Sequence, residues 1–103
     1  MLLGRPVVAT GWSGNMEFMD ADSAALVAYH LVPAADARGV FEAPGAVWAE
    51  PDPASAAAHL TRLADDPAER AALGARGRAM ATASLGDAPL RRAVASIGLS
   101  PAP

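Results

Sequence analysis

Pro6-Val7-Val8-Ala9-Thr10-Gly11-Trp12-Ser13-Gly14-Asn15-Met16-Glu17-Phe18-Met19 reads as a buried strand, a glycine-bearing loop and the first turn of a short helix. Val7 to Thr10 is a continuous apolar run with β-branched residues, which suits a parallel strand covered on both faces. In an open α/β sheet, ligands sit in the crevice beyond the carboxyl ends of the strands. The loop after Thr10 is therefore a ligand loop by position. Gly11 and Gly14 permit positive φ and close backbone approach. Asn15 is placed to cap the following helix, spanning Asn15 to Met19, and helix N-termini attract phosphate and other anions. The same glycines would serve equally if they only shaped a turn, so both readings stay open.

Outward from this stretch, the chain punctuates itself. Met1-Leu2-Leu3-Gly4, with Pro6 soon after, is how a helix ends: glycine past the C-cap, then proline. A helix end without its start suggests a piece of something longer. Asp20-Ala21-Asp22-Ser23 is turn chemistry. Ala25 to Tyr29 reads as a second strand running on through Leu31 and Val32 to Pro33. Residues 33 to 45 form a loop, and Ala46 to Ala49 a short third strand stopped by Glu50-Pro51-Asp52-Pro53.

The second half is helical. Asp52 is an N-cap with Pro53 at the first helical position. Ala56, Leu60, Leu63 and Ala64 share one face of this helix, and Ser55, His59, Arg62 and Asp66 the opposite, polar one. Asp66 and Glu69 have capping-box spacing and open a second helix, whose buried stripe is Leu73, Gly77, Met80 and Ala81. Leu85-Gly86 closes it. Asp87 opens a third helix with an apolar face of Leu90, Val94 and Ile97, ended by Gly98. Residues 99–103 form a loose tail, leaving 1–98 as the folded unit.

Composition narrows the function classes. The 103 residues suffice for one small domain, and 52% hydrophobic content argues against overall disorder. Net charge is −3, every basic residue is arginine, and no basic run occurs. That is neither a nucleic-acid footprint nor a polybasic membrane patch. Without cysteine there is no disulfide, thiol catalysis or cysteine-ligated zinc. No apolar run reaches the length of a membrane span and no signal peptide is visible, so a cytoplasmic location is expected.

Two or three strands and three helices do not close an α/β domain, because a parallel sheet needs several neighbours and cover on both faces. The strand at Val7 to Thr10 would normally lie inside a sheet. The expectation is either a truncated frame or a chain that pairs with another polypeptide.

Four ordered motifs resemble one family. Gly-Arg-Pro-Val-Val-Ala-Thr-Gly-Trp-Ser-Gly-Asn-Met-Glu-Phe-Met (4–19), Asp22-Ser23-Ala24-Ala25-Leu26-Val27, Tyr29-His30-Leu31-Val32-Pro33 and Val47-Trp48-Ala49-Glu50-Pro51-Asp52 stand in sequence order. Together with the helix start at 66–74, they resemble the C-terminal part of the donor-binding domain of GT-B-fold, retaining glycosyltransferases. The resemblance covers essentially the whole chain. It implies an α/β fold, the C-terminal half of a Rossmann-like nucleotide-sugar-binding domain. It implies a parent enzyme that transfers a hexose from a nucleotide-diphosphate sugar to an acceptor at the membrane periphery, with no metal and no further cofactor. It also implies what is absent: the paired-glutamate motif would fall just before Met1, and the diphosphate-binding basic residues and the acceptor domain earlier still. Sugar transfer needs stabilisation of the departing diphosphate and donor and acceptor held in one cleft. The isolated chain is therefore expected to be inactive, with no catalytic residue of its own. Its partners would be a nucleotide sugar and either the missing N-terminal part or another chain.

By the resemblance, Thr10, Gly11, Ser13, Gly14 and Asn15 would lie at the donor site, with loop scaffolding as the alternative. Trp12 suits a sugar face or, preferably, a lid over the local core. Glu17 is a solvated first-turn carboxylate. His30 and His59 lack a third residue at metal-ligand spacing and read as structural or surface groups. Trp48 reads as an anchor for the third strand, and Arg91-Arg92 as a solvated helix face. A second hypothesis is a non-catalytic interaction module whose exposed Val7 to Thr10 edge pairs with another protein, since an unpaired edge is a template for such pairing.

Overall fold

A computed structural model describes residues 1–99. These residues form a mixed α/β fold with four short strands, one 3₁₀ turn and three α-helices. Strand β1, Val8–Thr10, pairs in parallel with β2, Ala25–Val27, in the register Val8↔Ala25, Ala9↔Leu26, Thr10↔Val27. Strand β3, Tyr29–Pro33, pairs antiparallel with β4, Val47–Pro51. Helices α1 (Pro53–Asp65), α2 (Pro67–Leu85) and α3 (Asp87–Ser96) follow. Residues 100–103, most of the expected tail, lie outside the described residues.

The chain starts in a turn, with no helix over residues 1–4, although Gly4 takes the backbone conformation expected of it. The N–H of Gly4 donates to the Met1 carbonyl at 2.8 Å, with Gly4 at φ +69°, in the left-handed region that suits glycine. The turn before β2 is built by its own side chains. One Asp20 carboxylate oxygen accepts from the N–H groups of Asp22 and Ser23, at 3.1 and 2.9 Å. The Ser23 hydroxyl accepts from the Asp20 N–H at 2.9 Å. Ser23 is thereby satisfied although only 3% exposed.

The expected single strand from Ala25 to Val32 is instead two strands in two sheets. Ala28 is the break. Its N–H donates to the Ser55 hydroxyl at 3.1 Å and its carbonyl accepts from the Asp52 N–H at 2.8 Å. These bonds to the start of α1 take Ala28 out of any ladder, and the chain leaves the parallel pair for the hairpin. The last strand also runs further than expected, through Glu50 to Pro51. Proline is tolerated there because it ends an outer strand.

Capping sets the helical joints. The Asp52 carboxylate accepts from Ala54 N–H at 2.8 Å, and Asp66 from Glu69 N–H at 2.9 Å. Only half of a capping box forms at the second joint, because the Glu69 carboxylate pairs with Arg62 rather than reaching back. The guanidinium of Arg70 donates to the Leu63 and Ala64 carbonyls, which satisfies the last turn of α1.

Glycine lets α2 lie close to the N-terminal segments. A Cβ at Gly74 would fall 2.2 Å from the Gly4 carbonyl oxygen, and one at Gly77 would fall 2.8 Å from that of Ser23. The core itself is small: Ala25, Leu63 and Leu73 cluster with Val8 packed against them, and Met19, Ala24, Val27 and Ala81 are also buried. β1 is half-buried throughout rather than covered on both faces. The expected apolar face of α3 is open, with Leu90 66% and Ile97 71% exposed. The radius of gyration is 17.6 Å, against about 13 Å for a compact domain of this length. This chain spreads its elements over a flat 49 × 45 × 19 Å body and leaves much apolar surface in solvent. No helix among the described residues is long and apolar enough to cross a membrane.

Candidate functional site

The loop at the carboxyl end of β1 is held by the strand it leaves. The Thr10 carbonyl accepts from the Trp12 N–H and from the Asn15 side-chain amide, both at 2.8 Å. The amide of Asn15 also approaches the Met19 sulfur at 3.9 Å. The Gly11 N–H donates to the Val27 carbonyl at 3.2 Å, extending the parallel ladder by one residue. Thr10, Gly11, Ser13, Gly14 and Asn15 thus follow one another at the strand end, with Ser13 and Gly14 exposed and the other three half-buried.

Three expectations about this loop are corrected. Asn15 does not cap a helix. The local helix is a five-residue 3₁₀ turn, Ser13–Glu17, with extended Trp12 in the cap position and Asn15 inside it. Its side chain faces back to Thr10 because the 3₁₀ turn brings residue 15 over the strand end. A turn this short also lacks the aligned peptides that give a helix N-terminus its pull on anions. The second correction concerns conformation: the left-handed residue is Ser13, at φ 64°, while Gly11 and Gly14 are not in that region. Thirdly, Gly14 does not shape the loop through close approach, since a Cβ there would meet nothing within 4 Å. Gly11 sits closer to its neighbours, within ordinary contact distance. A Cβ on it would sit 3.4 Å from the Cβ of Leu26.

Asp20 closes the crossover that follows. Its carboxyl is held below the ordinary value of 3.8, chiefly by the Ser23 hydroxyl, which outweighs the opposing effect of desolvation, with the N–H groups of Ser23 and Asp22 adding smaller shares in the same direction.

The two edges of the parallel pair differ. On the outer edge of β2, the Leu26 carbonyl lies 3.0 Å from Nε2 of His59, and both polar groups of Ala28 are taken by Ser55 and Asp52. Ser55 and His59 were expected on a solvated face. They face the strand instead, and Leu60, expected inside, is 59% exposed. The helix rotates this way because the edge of β2 offers backbone groups that need partners. The signal was legible in principle: Ser55 and His59 are four apart, one above the other on one helical face. On the outer edge of β1, Val8 and Thr10 have no neighbouring strand among the described residues.

Of the remaining candidates, His30 stands opposite Glu50 on the exposed hairpin and Trp48 opposite Val32. Arg91 pairs with Asp87 one turn away at 2.8 Å. The arginines around α2 escaped the sequence reading, because Arg5 is distant from Arg70 and Arg78 in the chain. Comparison with protein-family models, curated proteins and solved structures found no match to this chain.

Proposed function

We propose that this chain is the C-terminal half of a Rossmann-like nucleotide-sugar-binding domain of a retaining GT-B glycosyltransferase. In this reading Thr10, Gly11, Ser13, Gly14 and Asn15 form one wall of the donor site. The nucleotide-diphosphate sugar is the donor substrate of the parent enzyme, and the rest of the cleft is supplied elsewhere. The observation that carries the reading is the parallel β1–β2 pair with a small-residue loop at its carboxyl end. That is where open α/β sheets bind ligands. The ordered motifs along the chain add to it. The wall contributes backbone groups and the Ser13 hydroxyl. It holds no cation to stabilise a leaving diphosphate, so the chain alone is expected to turn over no donor.

Hydrogen exchange of the purified chain with and without uridine- and guanosine-diphosphate sugars tests this reading. Slowed exchange at Gly11 to Asn15 in the presence of one of these donors is the expected result. Unchanged exchange with every donor, or transferase turnover by the chain alone, would overturn it.

The unpaired outer edge of β1 supports a second reading, an interaction module completed by a strand from another protein. The two readings part on the loop. A pure interaction module gains protection at Val8 and Thr10 when its partner binds and none at Gly11 to Asn15 with nucleotide sugars.

A further inference from the structure

We infer a second binding site, independent of the function proposed above. The cleft between residues 4–6 and the outer face of α2 takes the phosphate group of a small organic molecule. Arg5 and Arg78 meet the phosphate, and the alanine floor meets the organic body.

The cleft is built by the close approach at Gly74. With no side chain there, the Gly4 carbonyl lies directly on α2. Residues 4–6 then form one wall, and Arg5 lines the same space as Arg70 and Arg78. The stem of Arg78 passes close to Gly4, whose Cβ would lie 3.9 Å from its Cδ. The cleft is open to solvent and its volume is about 960 Å³, within the range of small-molecule sites. Ala75 and Ala79 floor it, and Thr82 adds a hydroxyl at one end.

Charge selects the ligand. The chain has eleven acidic residues and eight arginines, yet three arginines and no acidic residue line this cleft. Three arginines elsewhere have partners, Arg62 with Glu69, Arg91 with Asp87, and Arg76 with the Asp22 carbonyl at 2.6 Å, while Arg38 and Arg92 make no ion pair among the described residues. Arg70 spends one nitrogen on the end of α1. Arg5 and Arg78 make no ion pair among the described residues. Each guanidinium stays charged at any working pH and presents a fork of donors that fits phosphate oxygens. The apolar floor favours an organic body over a bare anion. Gly4 precedes β1 and Thr10 ends it, so this cleft lies roughly 20 Å of extended chain from the loop site.

The test is an NMR titration of the full chain with phenyl phosphate at constant ionic strength. Saturable shifts at Gly4, Arg5, Ala75 and Ala79 are expected, with inorganic phosphate and phenol each binding at least about ten-fold more weakly. Arg5→Gln and Arg78→Gln should each weaken binding about ten-fold. Ala79→Leu, which fills the floor and keeps every charge, should weaken it too, while Arg92→Gln on α3 should leave it unchanged. Unsaturable shifts spread over the surface, equal binding of inorganic phosphate, or equal loss in Arg92→Gln would overturn the site. So would a concentration-dependent dimer that covers these residues before ligand is added.

Discussion

β2 and β3 are separated by the single residue Ala28, yet they sit in opposite surroundings. β2 has a parallel neighbour on one edge, the Leu26 carbonyl and Ala28 held by α1 on the other, and Leu63 and Leu73 against the same cluster as its Ala25. β3 has one antiparallel partner, and no helix among the described residues packs closely against it. One face of that hairpin carries Tyr29, Leu31, Pro33, Val47, Ala49 and Pro51, since directly opposed residues share a face. Leu31 remains 53% exposed on it. Both segments are rich in strand-forming residues. The difference shows that local strand propensity is a weak guide to stability. What separates them is whether a helix satisfies the free edge and covers the face. A two-stranded hairpin without such cover is marginal in water.

The comparison predicts unequal responses to substitution. Leu73→Ala removes a buried side chain from the core beside β2 and should cost about 3 kcal/mol in urea unfolding followed by helical circular dichroism. A cost below about 1 kcal/mol would mean that the small cluster does not hold the parallel half together. Gly74→Val drives a Cβ into the Gly4 carbonyl and should cost about 2 kcal/mol, with the loss of ordered signals from residues 4–6. Ser55→Ala leaves the Ala28 N–H without its hydroxyl partner. About 1 kcal/mol is expected, together with faster amide exchange at Ala28. Leu31→Ala on the open hairpin face should stay within about 0.5 kcal/mol. A large effect there would reveal that the hairpin face is covered in solution, which would end the contrast.

The smallest expected effect is the pH dependence of the Asp20 turn. A carboxyl held below its ordinary value adds stability above the unfolded-state value, near 3.8, and that stability is lost as pH falls through the lower folded value. Asp20→Asn should therefore flatten the stability profile only below about pH 4. A change confined to neutral pH would point to another group.

Much of the element order was legible, for local reasons. Asp52-Pro53 and Asp66-Pro67 start α1 and α2 as caps with proline at the first helical position, Gly98 ends α3, and Asp20 to Ser23 forms its turn from its own side chains. These signals need only a few neighbouring residues. The candidate loop was legible as a position, at the end of a valine-rich strand. Its internal geometry was not: the residue with positive φ is Ser13, and the Asn15 amide turns back to Thr10. Both depend on a 3₁₀ turn whose tightness no residue in the stretch announces.

The sequence by itself determined where α1, α2 and α3 begin and end, that the run from Val7 to Thr10 would hold a strand, and which loop follows it. Caps, prolines and β-branched runs act through the backbone within a turn or two, so they survive in a linear reading. Only the tertiary structure decided that Ala28 divides one apolar run between two sheets. It also decided that Ser55 and His59 face a strand edge and that Gly74 seats residues 4–6 on α2. Those outcomes depend on which distant backbone groups need partners and which surfaces come within a Cβ of each other. That information exists only when segments remote in the chain meet.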